Sequence, residues 1–305
     1  MTPAASPADP RWARAAGLML VCCAMMSVVG LLAKALGQGI GGPPLHPMQI
    51  TAARFAFAAV AFACGFAVIR PGFRGTPWGF HAFRSSVGML GFVCLFGAVT
   101  QMPLTEATAI SLLAPFVTLI LAIPILGESV GPWRWSAAAA SFAGAMLIIR
   151  PGSEAFHPAA ILALGAAFFQ GLEATLVKRL SRGEPISRIL LLNSGFAAII
   201  SCLIAAAFFW TPPSATQWAM MVGLGVCMAT AASCFTVAFK MVDASSLMPL
   251  VYFALVFTAF YDVVLFEVIP PTLTVAGIAV IGAAAVVMAW RERRAHMHAP
   301  AARTA

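Results

Sequence analysis

The sequence predicts an all-α integral membrane protein of ten transmembrane helices, arranged as two inverted five-helix repeats. Three observations carry this. Hydrophobic residues make up 61% of the 305 positions and charged residues 9%, against about 25% charged in ordinary soluble domains. Ten apolar segments can be counted, at 12–36, 47–69, 79–101, 104–126, 132–150, 158–179, 186–210, 215–240, 243–266 and 271–290, many near the ~20 residues that a spanning helix needs. Basic residues collect on one side of the topology those segments define. A soluble helical protein could not hide so much apolar surface.

Span 1, "RWARAAGLMLVCCAMMSVVGLLAKALG", has a basic start and an apolar run too long for a signal peptide, without a small-x-small cleavage site before a soluble domain. Loops rich in Gly and Pro separate the spans, such as "GQGIGGPPLHP" before span 2 and "WTPPSATQ" before span 8. Span 4 holds two prolines, Pro115 and Pro124, within an uncharged stretch bounded by Glu106 and Glu128. Span 5 follows Pro132, with Trp133 and Trp135 suited to the membrane interface. Spans 5 and 10, "AAAASFAGAM" and "AGIAVIGAAA", are small and nearly non-polar at their middles, which suits close packing at the periphery. The tail "HMHAPAARTA" is expected to lack structure.

With the N-terminus inside, the inner ends and loops hold 15 of the 18 Lys and Arg, among them Arg11, Arg14, Arg70, Arg74, Arg84, Arg134 and Lys178. The outer loops hold only Arg150, and Lys34 and Arg54 lie in the outer parts of spans 1 and 2. This asymmetry predicts both termini on the cytoplasmic side. It also accounts for the +8 net charge without nucleic acid. The seven cysteines, at 22, 23, 64, 94, 202, 227 and 234, lie inside apolar runs with no metal or redox spacing, and read as small core hydrophobes.

Two echoes join the halves: "LLAKAL" (31–36) with "TLVKRL" (175–180), and "TEATAISLLAPF" (105–116) with "VDASSLMPLVYF" (242–253). Each lies about 140 residues apart, near half the chain. Five spans per half invert the second half, as in many secondary transporters. Pro115 and Pro249 occupy matching spans, each four residues after a serine, Ser111 and Ser245. A proline inside a helix removes a donor and orphans the carbonyl four residues earlier, so spans 4 and 9 read as kinked helices whose matched interruptions point to a substrate site.

Polar residues at helical spacing form stripes: Thr108, Ser111, Pro115 and Thr118 in span 4; Gln170 and Glu173 in span 6; Thr230, Ser233 and Thr236 in span 8; Tyr252, Thr258 and Asp262 in span 9. They predict a polar cavity shared by these spans. Glu173 is expected to face it and bind a cation or a proton, or else to pair with Lys178 or a cytoplasmic arginine. Arg54 faces its repeat counterpart Asn193 at an offset of 139, which suits either a structural pair or a carboxylate-binding role. Asp262, Lys34 and Arg54 share the outer half, which predicts an ion pair between Asp262 and one of the two bases, as a gate or a structural staple. Glu106 at the start of span 4, Glu128 and Arg134 are expected to be structural.

No GxxxxGK[ST], HExxH or GxSxG appears, so neither ATP-driven transport nor a known intramembrane hydrolase is indicated. The histidines, at 46, 81, 157, 296 and 298, are assigned to loops and tails. No cofactor and no metal is implied. A channel and an intramembrane enzyme are the alternatives to a carrier.

The stretch 102–152 resembles the first EamA repeat of the drug/metabolite transporter superfamily. The resemblance rests on Pro103-Leu104, Glu106-Ala107, Ala114-Pro115, Gly127-Glu128, and Phe142-Ala143-Gly144 before Arg150-Pro151-Gly152. "VAFKMVDASSLMPLVYFALVFTAF" through "MAWRERR" resembles the second repeat. The resemblance implies repeats over 12–152 and 158–292, a cavity lined by spans 1, 3, 4, 6, 8 and 9, and alternating access. It also implies a bacterial inner-membrane location and a small polar or amphipathic metabolite, with proton or ion coupling. The spacing is closest to S-adenosylmethionine uptake or amino-acid and metabolite export carriers. Three departures stand out: "LFEV" with Glu267 where a Gly-Glu pair is usual, Ala231-Ala232 in place of Gly-Gln, and Asp262 at a position usually small or aromatic.

Overall fold

The computed structural model describes residues 10–69, 76–127, 132–150, 157–180, 186–241 and 248–298. Within them the chain forms eleven α-helices: α1 (Pro10–Gly37), α2 (Pro47–Ile69), α3 (Trp78–Gln101), α4 (Leu104–Ser111), α5 (Ala114–Leu126), α6 (Pro132–Ile149), α7 (Ala159–Leu180), α8 (Ile186–Phe208), α9 (Ala215–Met241), α10 (Phe253–Phe266) and α11 (Thr272–His298). A 3-10 turn, Met248–Tyr252, leads into α10. Together α4 and α5 make one apolar stretch, Leu104–Leu126. Six such stretches are long and apolar enough to cross a membrane, and four shorter apolar helices complete ten. No strand occurs among the described residues. Backbone donors and acceptors are thus satisfied inside helices, as hydrocarbon requires.

Span 4 is not one kinked helix. It breaks at Leu112–Leu113, and Pro115 lies in the first turn of α5. There its missing N–H is one that no helix would have bonded, so the proline terminates nothing and instead starts a new segment. Span 9 is likewise interrupted, with Pro249 in the 3-10 turn ahead of α10. Ser245 and Glu128 lie outside the described residues. Pro124 remains inside α5, in its last turns, before the left-handed Gly127 cap at φ 68°.

The histidines are not confined to loops and tails. His81 lies in the first turn of α3 and is fully buried. His296 and His298 fall within α11, which continues past the predicted end of span 10. His46 and His157 each precede a proline at a helix start, and each imidazole Nδ1 accepts the N–H two residues on, from Met48 and Ala159, at 3.2 Å. Each of these side chains satisfies one orphan donor, of α2 and of α7 respectively, a use for histidine that needs no chemistry.

Helices α6 and α11 pack mainly on each other. A Cβ built on Gly277 would lie 2.5 Å from the Gly144 carbonyl oxygen, and one on Gly144 2.8 Å from that of Gly277. The two backbones therefore touch where the sequence is smallest, the small-residue packing of membrane helices. On the other flank α2 packs on α8 and α9, with Gly225 accommodating Phe57. Between these flanks stand α1, α3, α4, α5, α7, α9 and α10. Gly277→Val should destabilise the protein by about 1–3 kcal/mol through overpacking, read as a lowered melting temperature in detergent. Gly282→Ala, with no atom within 4 Å of the added Cβ, should leave it unchanged.

Candidate functional site: a central cavity beneath a buried ion pair

Asp262 of α10 is fully buried, and Lys34 of α1 is 3% exposed. Lys34 Nζ donates to Asp262 Oδ1 at 2.8 Å. The same carboxylate accepts the backbone N–H of Leu104 at 3.1 Å and of Thr105 at 2.6 Å. These are the first residues of α4, where Pro103 in the cap position offers no side-chain acceptor. Asp262 thus serves as an N-terminal cap supplied from another helix, with the positive end of the α4 dipole adding to Lys34. Lys34 Nζ also sits 3.9 Å from the centre of the Phe266 ring, a cation–π contact. Nearby, Thr274 of α11 donates to Glu106 at 2.7 Å and accepts from Arg150 at 3.3 Å.

Arg54 does not join this group. Its guanidinium carbon lies 3.3 Å from the ring centre of Phe92 and 4.3 Å from that of Phe55. Glu173 is 16% exposed and accepts from Arg84 at 3.3 Å. Asn193 also hydrogen-bonds Glu173, and Arg54 lies within electrostatic reach of it. Gly88 makes room for this carboxylate: a Cβ there would clash with Glu173 Cδ. Arg84 itself is 1% exposed rather than in a loop, and donates a second bond to the Ile189 carbonyl at 3.1 Å. Two guanidinium groups around Glu173 oppose the binding of a further metal cation.

A cavity of about 390 Å³ lies below the Lys34–Asp262 pair, toward the N-terminal end of α1. It is lined from α1, α3, α4, α5, α7, α9 and the interrupted span 9, with Leu190 from α8. Its wall is mostly apolar, with Phe92, Phe96, Phe235, Met19, Met26 and Met228 prominent. Of the residues singled out by the stripes, Ser111, Pro115, Gln170, Thr108, Thr236 and Thr258 line it. The Ser111 hydroxyl donates to the Thr108 carbonyl at 2.8 Å, and Thr236 and Thr258 also bond their own helices. Gln170 differs: its Nε2 is buried with no partner.

Five expected residues lie elsewhere, among them Glu173, which faces Arg84 and does not line the cavity. Thr230 and Ser233 are exposed on α9, with hydroxyls donated to Val226 and Ala229 of their own helix. A serine or threonine on a membrane helix satisfies itself this way without needing a cavity. Thr118 donates to the Ala114 and Gly171 carbonyls, tying α5 to α7. Tyr252 caps α10 and is half-buried.

Two contributors were not read from the sequence. Ser27 donates to the Ala254 carbonyl at 3.1 Å, and the Cys23 thiol to the Leu250 carbonyl at 3.3 Å. Both lie one turn apart on α1 and tie it to the interruption in span 9, where backbone carbonyls lose regular partners. A thiol and a hydroxyl four residues apart in mid-span was the available signal.

The EamA-like transporter family profile matches residues 13–150 and again 157–290. The chain belongs to the EamA-like transporter family. Its relatives include the riboflavin transporter of Vibrio cholerae, 28% identical over 70% of this chain and 72% of that protein. The S-adenosylmethionine uptake transporter of Rickettsia bellii is 26% identical over 89% and 93%, and the pseudopaline exporter of Pseudomonas aeruginosa 24% over 64% and 69%. A solved crystal structure shares the fold, with a TM-score of 0.63 at 20% identity, covering 92% of this chain and 98% of that one. This EamA protein is a multi-pass membrane transporter of the drug/metabolite superfamily and not an enzyme.

The Asp262 geometry makes a sharp demand. Asp262→Ala should cost about 3–5 kcal/mol by stranding a buried ammonium, seen as a large fall in melting temperature. The swap Lys34→Asp with Asp262→Lys should fail to rescue stability, because a lysine at 262 cannot accept from Leu104 and Thr105. Full rescue by the swap would show that only the charge pair matters.

Proposed function

We propose that this protein is a secondary carrier that moves a small amphipathic metabolite across the bacterial inner membrane by alternating access. Its two matched halves would be inverted repeats, and the Lys34–Asp262–α4 junction the outer gate. The single observation that carries this reading is a cavity placed where both interrupted spans meet, beneath a buried charge junction that ties α1, α4 and α10 together. Interrupted helices at matching places in two repeats are the usual surroundings of a transporter's binding site. The inside bias of Lys and Arg supports cytoplasmic termini. On that orientation the cavity lies on the cytoplasmic side of the gate.

The lining sets the class of cargo. Three phenylalanines and three methionines favour a ring-bearing or otherwise apolar body, and the unpartnered Gln170 amide nitrogen offers hydrogen-bond donors at its edge. Riboflavin and S-adenosylmethionine, the cargoes named for two relatives, both carry fused aromatic rings and enter the first panel of ligands.

The test is a thermal-shift screen of metabolites on purified protein, followed by flux of each hit into proteoliposomes. Ala231 is buried and lines the cavity, whereas Thr230 beside it is exposed and does not. Ala231→Trp should reduce flux at least tenfold while Thr230→Trp retains it. Equal flux in both variants would place the transport path elsewhere.

A further inference from the structure

Arg54 is 4% exposed, and its Nε and Nη1 are buried with no hydrogen-bond partner. An arginine does not neutralise itself by losing its proton. An unpaired buried donor costs free energy in proportion to its lost hydration. The rings of Phe55 and Phe92 cover the guanidinium, which supplies cation–π energy but uses none of its in-plane donors. The nearby formal charges sum to +1, from Arg54, Arg84 and Glu173. Arg84 Nε and Gln170 Nε2 are also buried without partners. This cluster therefore has a surplus of donors and of positive charge.

Phe92 connects it to the cavity. Its ring lies against Arg54 and also lines the cavity wall, as does Gln170. We propose that Arg54, screened by Phe92, is an anion subsite that takes the carboxylate of an amphipathic, ring-bearing substrate. The inference rests on the cavity being the substrate site. A monoanionic group brings the cluster to neutrality and matches the planar fork of the guanidinium. The apolar wall takes the remainder of the molecule. Rotation of the Phe92 ring exposes the donors, and the same ring can then stack on the cargo.

The probes are 2-naphthylacetate and 2-naphthylacetamide, which differ in charge and little in shape, measured by equilibrium dialysis against the purified full chain. The acid should bind about tenfold tighter or better, the worth of a charge-assisted hydrogen bond. Arg54→Gln should lower its affinity to that of the amide and leave the amide unchanged, which also reports an intact fold. Arg54→Lys should keep part of the preference. Equal affinities for acid and amide in the parent, or an acid preference that survives Arg54→Gln, would overturn the subsite while leaving the cavity reading in place. Ala231→Trp separates the two ideas: if it blocks neither probe, or if neither probe binds the parent, the cavity reading falls and the subsite with it.

Discussion

A carboxylate held away from water must find all its compensating donors inside the protein, and Asp262 finds three. One is the Lys34 ammonium and two are the first amides of α4. These belong to different helices from its own, so a single side chain fixes α1, α4 and α10 relative to one another. The arrangement is mutual. The first amides of α4 lack a capping side chain at Pro103, and Lys34 would otherwise be a buried bare cation. Either group left alone would be more costly than the assembled junction, which is the usual asymmetry between keeping and breaking a buried pair. A junction with that property is suited to act as a two-state element, because breaking one contact leaves a buried charge uncompensated.

Below it, the interruptions in spans 4 and 9 bring backbone ends and side chains together where a continuous helix would present only its wall. Proline makes this tolerable by starting helices at positions that need no donor. Ser27 and Cys23 reach across from α1 to the carbonyls around the second interruption. The peripheral pairs, α6 with α11 and α2 with α8, pack against each other and leave the middle free to form a cavity. Polar groups in the wall mostly satisfy themselves, so the cavity is more apolar than its serines and threonines imply. Gln170 in the wall and Arg54 behind Phe92 are therefore the more informative groups.

The ten apolar segments and the small-residue character of spans 5 and 10 were legible in the sequence, because both follow from composition along single segments. Lys34, Arg54 and Asp262 could be placed in the same half of the membrane, but depth alone does not say which base lies beside Asp262. That depends on α1 packing on α10 while α2 turns toward α8. Thr230 and Ser233 matched a stripe but not a cavity, since periodicity identifies a face without saying what it faces. Glu173 could be read as needing a partner; Arg84 was counted with the loops because a basic residue near a span end reads as interfacial. Pro115 was read as a kink because a missing donor in the middle of an apolar run looks like damage, whereas the chain begins a helix there.

The proposed gate requires that the Asp262 junction close the outer end of the cavity. The most direct measurement is the reactivity of a single cysteine at Thr108, which lines that cavity, toward a membrane-impermeant maleimide added to right-side-out vesicles, with the native cysteines replaced. Negligible labelling is expected with Asp262 intact and rapid labelling in the Asp262→Asn background. Labelling that is equally fast in both, or equally absent in both, would contradict it.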